Sequence, residues 1–391
     1  MAIIKSILDL DLYKLTMQFA VIQKFPNQIV RYKFNDRNGI SYPKGFDKAV
    51  MKEVKLMKKL KLTNDEKNYL TKTLGHFLPP TYIDYLAGYK FDPSEVNVTL
   101  DKDNKLQILI EGYWYKTILW ETMLMSIISE LYFKLTNQIF YINTDAIKTH
   151  DLDKLNLMIE HNAFFADFGS RRRYSFDNQY RVCKLFKENS NHVFVGTSNV
   201  YIGYLLDMKV TGTMAHEWFM VIAALFGYKV ANHIALQYWA DVYHGKLGTA
   251  LTDTFTTDAF LKSFDMVLSK LFDGVRHDSG DPFKFVDKMI AHYKSLGIDS
   301  MSKTIIFSDG LTTKLATEIK EYCVGKIKSS FGIGTYLTND VGVKPLNIVI
   351  KISQVWIDGT WVEAIKLSDA LGKNMGDKYE IEICKHELKV K

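Results

Sequence analysis

The 391-residue sequence predicts an α/β protein in which a parallel βα barrel follows a smaller domain of mixed helix and strand. Three observations point there. Strand-like runs end at seven places, Phe168, Gly196, Gly212, Thr254, His277, Ser308 and Gly332, each followed by polar or glycine residues and then a helical pattern. Most of these corners lie about 20–35 residues apart, the length of one βα unit. Before residue 135 the alternation is absent, so that part reads as α+β. Seven βα units are most economically a closed or nearly closed barrel. A doubly wound open sheet is the rival fold, but no GxGxxG follows the first strand.

Taken in order, helical periodicity covers residues 8–25, 45–60 and 65–77, and strand-like aromatic alternation covers 28–34 and 105–112. A long apolar helix over 117–133 closes a first domain of residues 1–135. Residues 136–340 carry the seven units. The tail, 341–391, reads as β structure over 346–352 and 355–367 with a turn at Asp358-Gly359, returning to the first domain. No low-complexity linker or internal repeat interrupts the chain.

Composition narrows the partners. A hydrophobic content of 47% and a charged content of 24% are ordinary for a globular protein. The formal charge of +6 is mild, and the lysine-rich stretch 52–61 reads as a solvated helix face, so no nucleic-acid partner is expected. That balance still favours anionic substrates. Cys183, Cys323 and Cys384 lie far apart without a CxxC pair, which signals neither disulfides nor zinc. The longest apolar run, 218–226, is too short to span a bilayer, and the N-terminus lacks a secretory pattern; no membrane and a cytoplasmic location are expected.

The corners carry the chemistry, because barrel active sites gather at strand C-termini. His216 stands just past a β-like stretch and just inside an apolar helix, where imidazole can serve as a nucleophile or pack as a core residue. Asp253 ends another strand and can orient an imidazole or cap a helix. Three consecutive arginines, Arg171, Arg172 and Arg173, suit a phosphate clamp better than a solvated turn. Thr197, Ser198 and Asn199 offer small polar groups or a helix cap. Arg276, Asp278 and Asp281 within six residues combine an anion anchor with carboxylates for hydroxyls or a Mg²⁺ shell. Two glycine turns, Ser308-Asp-Gly310 and Gly332-Ile-Gly-Thr335, free backbone N–H groups for phosphate. Asp309 is available to a sugar hydroxyl. The set asks for a phosphorylated, multiply anionic substrate.

These motifs, in order, resemble the nicotinate phosphoribosyltransferase family over nearly the whole chain: Asp11-Leu-Tyr-Lys-Leu-Thr-Met17, Asp167-Phe-Gly-Ser-Arg-Arg-Arg173, Gly196-Thr-Ser-Asn199 and Gly212-Thr-Met-Ala-His-Glu-Trp-Phe219. Arg276-His-Asp-Ser-Gly-Asp-Pro282, Phe307-Ser-Asp-Gly310, Ser330-Phe-Gly-Ile-Gly-Thr335 and Lys344-Pro-Leu-Asn-Ile-Val-Ile-Lys351 continue it. The resemblance implies an open-faced α/β sandwich followed by an irregular, TIM-like seven-stranded α/β barrel, and a homodimer in which Tyr13 reaches the neighbouring subunit's pocket. It implies that nicotinate and phosphoribosyl pyrophosphate give nicotinate mononucleotide and pyrophosphate while ATP is hydrolysed, with Mg²⁺ as cofactor. It makes His216 the transiently phosphorylated histidine and Asp253 its orienting carboxylate. Tyr13 and Phe168 would stack on the pyridine ring, and Thr213 and Arg276 would bind nicotinate. Arg171, Asp278, Asp309, Gly310, Gly332, Gly334 and Thr335 would hold the phosphoribosyl and pyrophosphate groups. Ser198, where relatives that use nicotinamide carry aspartate, predicts the acid as acceptor. The alternatives are a nicotinamide-using enzyme, an aldolase or isomerase on sugar phosphates, and a non-catalytic nucleotide sensor.

Overall fold

The structure is a computed structural model that describes residues 2–370 and 372–390. Eleven strands occur among them. The first three are β1 (Ile29–Asp36), β2 (Val96–Leu100) and β3 (Leu106–Tyr113). Then come β4 (Phe165–Asp167), β5 (Phe194–Thr197), β6 (Thr249–Leu251), β7 (Gly274–His277), β8 (Thr304–Phe307) and β9 (Lys328–Ile333). The last two are β10 (Ile348–Ile357) and β11 (Thr360–Glu363).

One five-stranded sheet has the order β11-β10-β1-β3-β2. Its antiparallel pairs follow from period-two burial: Tyr32 faces Ile110, Val96 faces Ile110 and Val98 faces Ile108 across the ladders. Apolar residues on one face and polar ones on the other fix this register, because a one-residue slip would turn every buried side chain outward. The alternation in 28–34 and 105–112 is therefore real strand signal, whereas β2 and the helix Pro80–Gly88 were not anticipated. Helix Asn64–Leu74 starts where a capping box forms, the Thr63 side chain accepting from Glu66 N–H and Glu66 answering at the Thr63 N–H. The almost wholly buried helix Trp120–Leu135 packs on helix Phe46–Met57.

The other sheet has six strands in the order β5-β4-β9-β8-β7-β6, with β6, β7, β8 and β9 parallel. Here the expected barrel is corrected. Six of the seven expected strand ends belong to β4 through β9. The seventh, before Gly212, contributes only a single parallel bridge, Thr197 to Val210. One bridge cannot carry a ladder onward, and the sheet order does not return on itself, so no closed seven-stranded barrel forms among the described residues. The protein is a mixed α/β fold with a parallel sheet.

By contacts the chain forms two units: residues 1–156, 166–212 and 333–351, and residues 157–165, 213–332 and 352–391. Among the described residues no helix is long and apolar enough to cross a membrane.

Candidate active site

The residues singled out by sequence fall into two groups, one in each unit. In the first unit, backbone hydrogen bonds tie four segments together. Leu12 N–H donates to Ser198 O, Ser198 N–H to Asp167 O, and Phe168 N–H to Ile333 O. Tyr13, Phe168, Arg171, Ser198 and Gly334 all lie on those segments or beside them. Two glycines mark close approaches: a Cβ on Gly212 would sit 3.1 Å from Tyr13 N, and one on Gly334 would sit 3.1 Å from Phe168 O. A bulky side chain at Gly334 therefore disturbs the Phe168 backbone before it meets any ligand.

Ser198 does not keep a free hydroxyl proton. Its Oγ donates to Asp11 Oδ1 at 2.7 Å, while Arg171 Nε stands 3.9 Å from the other Asp11 oxygen. Burial raises the Asp11 carboxyl above its ordinary value, against the pull of Arg171 and Ser198. Tyr13 is 9% exposed, with Lys14 Nζ 5.4 Å from its ring centre. Phe168, Gly334 and Thr335 are half-buried, and Thr335 opens a helix of only four residues, Thr335–Thr338.

The triple arginine separates into three different environments. Arg173 is fully buried, pairing bidentately with Asp9 at 2.6 and 2.8 Å and with Glu130 at 3.1 Å. Arg172 donates to the Ile348 carbonyl. Arg171 has 36% of its side chain exposed. The reading of all three as one clamp does not suit Arg173, whose guanidinium is fully buried and engaged by Asp9, Glu130 and Gln179.

The second unit holds the histidine cluster. His216 is the first residue of helix His216–Phe226 and is 4% exposed. Its Nδ1 lies 3.0 Å from Thr254 Oγ1, and its Nε2 lies 3.0 Å from both Asp278 Oδ2 and Lys366 Nζ. Asp253 Oδ1 is farther from Nε2, at 3.8 Å, so the carboxylate nearest the ring is that of Asp278. Asp253 accepts instead from Lys366 Nζ at 3.2 Å and Ser279 Oγ at 2.6 Å. Burial, followed by the Lys366 charge, lowers the His216 pKa to about 4, so the ring is neutral at physiological pH. Its place at a helix N-terminus acts in the same direction. Burial works to raise both carboxyls, yet the neighbouring groups outweigh it: His216 and Lys366 hold Asp253 low, and Arg276, the His216 hydrogen bond and Lys366 hold Asp278 well below the usual carboxylate range.

Arg276 donates to the Met214 carbonyl at 3.0 Å and stands 3.9 Å from Asp278, while its buried Nε has no hydrogen-bond partner. Thr213 is half-buried in the loop leading to His216. Asp278 also accepts from Ser308 Oγ at 2.6 Å. Asp309 pairs with Lys373 at 2.9 Å, Gly310 is in the left-handed region at φ 58°, and Gly332 is buried within β9. The Asp281 side chain caps helix Pro282–Ser295, its Oδ1 accepting from Phe283 and Lys284 N–H. His277 packs against Phe285 and Phe307, with ring centres 4.9 and 5.6 Å away, as a core residue.

His216, Asp253 and Asp278 each offer one ligand atom, all within 4.8 Å of one another. Such a trio can hold a divalent ion. Here the Lys366 side chain reaches into the same cluster, touching His216 and Asp253, and supplies the compensating positive charge. The residues do not fit a resident metal. Lys366 is the participant that sequence reasoning missed. It lies in the tail, outside every quoted motif, and nothing in its neighbours marks it.

The chain matches two family profiles: residues 164–391 match the nicotinate phosphoribosyltransferase (NAPRTase) family, and residues 8–129 its N-terminal domain. It is 48% identical to the nicotinate phosphoribosyltransferase of Desulforapulum autotrophicum over 383 residues, 97% of this chain and 98% of that protein. It is similar to the crystal structure of nicotinate phosphoribosyltransferase from Porphyromonas gingivalis, with a TM-score of 0.96 and 43% identity over 99% of this chain and 100% of that one. The Vibrio cholerae enzyme gives a TM-score of 0.93 and 37% identity over 100% and 95%.

Proposed function

The chain belongs to the nicotinate phosphoribosyltransferase family, an enzyme family of NAD biosynthesis, and we propose from its site residues how it works. Nicotinate attacks through its ring nitrogen at the anomeric carbon of phosphoribosyl pyrophosphate. The C–N bond forms, the C–O bond breaks, and pyrophosphate leaves with the electron pair. ATP is hydrolysed alongside, through His216. The Nε2 lone pair attacks the γ-phosphorus, the β–γ bridging bond breaks, and ADP departs; water later releases phosphate from the ring. The observation that carries this reading is a buried, neutral His216 whose Nε2 lies 3.0 Å from one acidic partner, Asp278, and one basic partner, Lys366. Mg²⁺ enters on the polyphosphates of the substrates, since the histidine cluster does not fit a resident ion.

The acid is the preferred acceptor. Ser198 favours it by satisfying Asp11 and adding no second carboxylate beside it, rather than by donating to nicotinate. Competition between nicotinate and nicotinamide should favour the acid by roughly 2–4 kcal/mol, about 30- to 1000-fold in kcat/KM. Comparable values for the two bases would overturn the assignment. A sugar-phosphate isomerase or a silent nucleotide sensor predicts no glycosyl transfer at all.

The enzyme acts as a homodimer with shared sites, a proposal supported by the family resemblance and by the exposed apolar residues Leu135, Ile139 and Tyr141 in one short segment. Mixing Tyr13→Ala and His216→Ala chains, neither of which carries out ATP-coupled transfer alone, should restore about a quarter of the wild-type ATP-coupled activity, the share expected if half the dimers are mixed and each has one intact site. No recovery from verified mixed dimers would refute the shared site. A cytoplasmic location fits three free, buried cysteines.

A further inference from the structure

The ring nitrogen of His216 has two neighbours with opposite demands. Lys366 Nζ, 3.0 Å from Nε2, can only donate a hydrogen bond. It is satisfied when Nε2 presents a lone pair. Asp278 Oδ2, also 3.0 Å from Nε2, can only accept, and is satisfied when Nε2 carries a proton. A neutral imidazole meets one demand and not the other. Thr254 Oγ1, against Nδ1, can donate or accept and does not decide between them.

Lys366 is firmly placed. Its backbone pairs with Met375 in both directions, at 2.9 and 2.8 Å, and Leu367 N–H donates to Thr254 O at 2.9 Å. The ammonium holds a carboxylate at the same time. Asp253 Oδ2 lies 3.2 Å from Nζ, and the buried Asp253 Oδ1 has no hydrogen-bond partner. A buried carboxylate oxygen without a donor is costly, so the site has an unmet acceptor directly beside the lysine.

We propose that Lys366 is the positioning residue of the phosphoacceptor: its ammonium selects the His216 tautomer with the lone pair on Nε2, and turns to the unpartnered Asp253 Oδ1 and the incoming phosphoryl oxygens when that lone pair attacks. The transfer breaks one hydrogen bond and forms another, with no net proton movement. Asp278 is the counterweight, favouring protonated Nε2 whenever the ammonium is withdrawn. The charged groups around the ring are Asp253, Asp278, Lys366 and, through Asp278, Arg276. This inference rests on His216 being the phosphoacceptor.

The test reads the ring directly. In protein carrying ¹⁵N-histidine, with His216 identified by its absence from His216→Asn, the wild-type Nε2 should give the unprotonated shift and Nδ1 the protonated one at pH 7.5. In Lys366→Met, Nε2 should become protonated, labelling from γ-labelled ATP should fall by at least ten-fold, and the acid limb of labelling should move to higher pH. Lys366→Arg, which keeps the donor, should restore the wild-type tautomer and part of the labelling rate. A wild-type Nε2 that is already protonated overturns the proposal without any variant. So does a Lys366→Met ring that keeps the wild-type tautomer. If His216 is labelled but its tautomer ignores Lys366, the positioning role fails while the phosphohistidine reading stands. If His216 takes no label, that reading fails first.

Discussion

His216→Ala should accept no label from γ-labelled ATP, whereas wild-type protein yields an alkali-stable, acid-labile phosphopeptide containing residue 216. The expectation rests on exclusion as much as on geometry. His277, the nearest rival in sequence, is packed between Phe285 and Phe307, and its buried Nε2 has no partner to tune it. Among the described residues His216 alone combines a helix-initial position, two acidic neighbours and a lysine. His216→Asn should lose ATP hydrolysis while retaining slow glycosyl transfer, because the transfer needs no covalent ribosyl nucleophile. Label on another residue, or full labelling of His216→Ala, would refute the assignment.

The pH dependence of the same reaction has a definite sign. Burial and Lys366 put the folded His216 pKa at about 4, against an ordinary value of 6.5. The nucleophilic neutral form therefore persists as pH falls from 7.5 to 5.5, and labelling should not titrate near 6.5. Stability runs the other way. Between about 6.5 and 4 the unfolded chain takes up a proton that the folded ring refuses. The contribution is complete above 6.5 and is lost as pH falls, by on the order of 3 kcal/mol in all. His216→Asn should flatten that part of the stability–pH curve.

Much of this was legible in the sequence, and the exceptions have physical causes. The strand ends that frame the site were visible because glycine, serine and aspartate punctuate each βα corner. Closure of the barrel was not. Whether the residues near Val210 extend a ladder or make one bridge depends on what lies beside them, and periodicity carries no such information. Helix caps show a similar limit. Asp281 and Asp278 read alike as carboxylates in one motif, but the first precedes Pro282 and caps a helix, while the second faces the histidine. Lys366 joins His216 across 150 positions of sequence, a contact only tertiary folding creates.

The three consecutive arginines are the sharpest case, and they yield the second large effect. Arg173→Met should lower folding stability by about 3–5 kcal/mol, because it strands Asp9 and Glu130, two buried carboxylates, without their shared cation. Burial already raises Glu130 even with Arg173 beside it, so without that cation Glu130 must take up a proton or draw in water. Arg171→Met, at a partly exposed side chain 3.9 Å from Asp11, should cost under about 1 kcal/mol. Binding inverts the order. Arg171→Met should weaken affinity for pyrophosphate at least ten-fold by calorimetry, while folded Arg173→Met should bind it within about two-fold of wild type. Urea midpoints measured on both variants decide the matter. Equal midpoints would mean that the buried triad contributes nothing special to folding. Equal losses of pyrophosphate affinity would restore the reading of the run as a single clamp. A buried guanidinium held by two carboxylates is a structural cation, and within this run the fold, not the composition, determines which arginine takes that part.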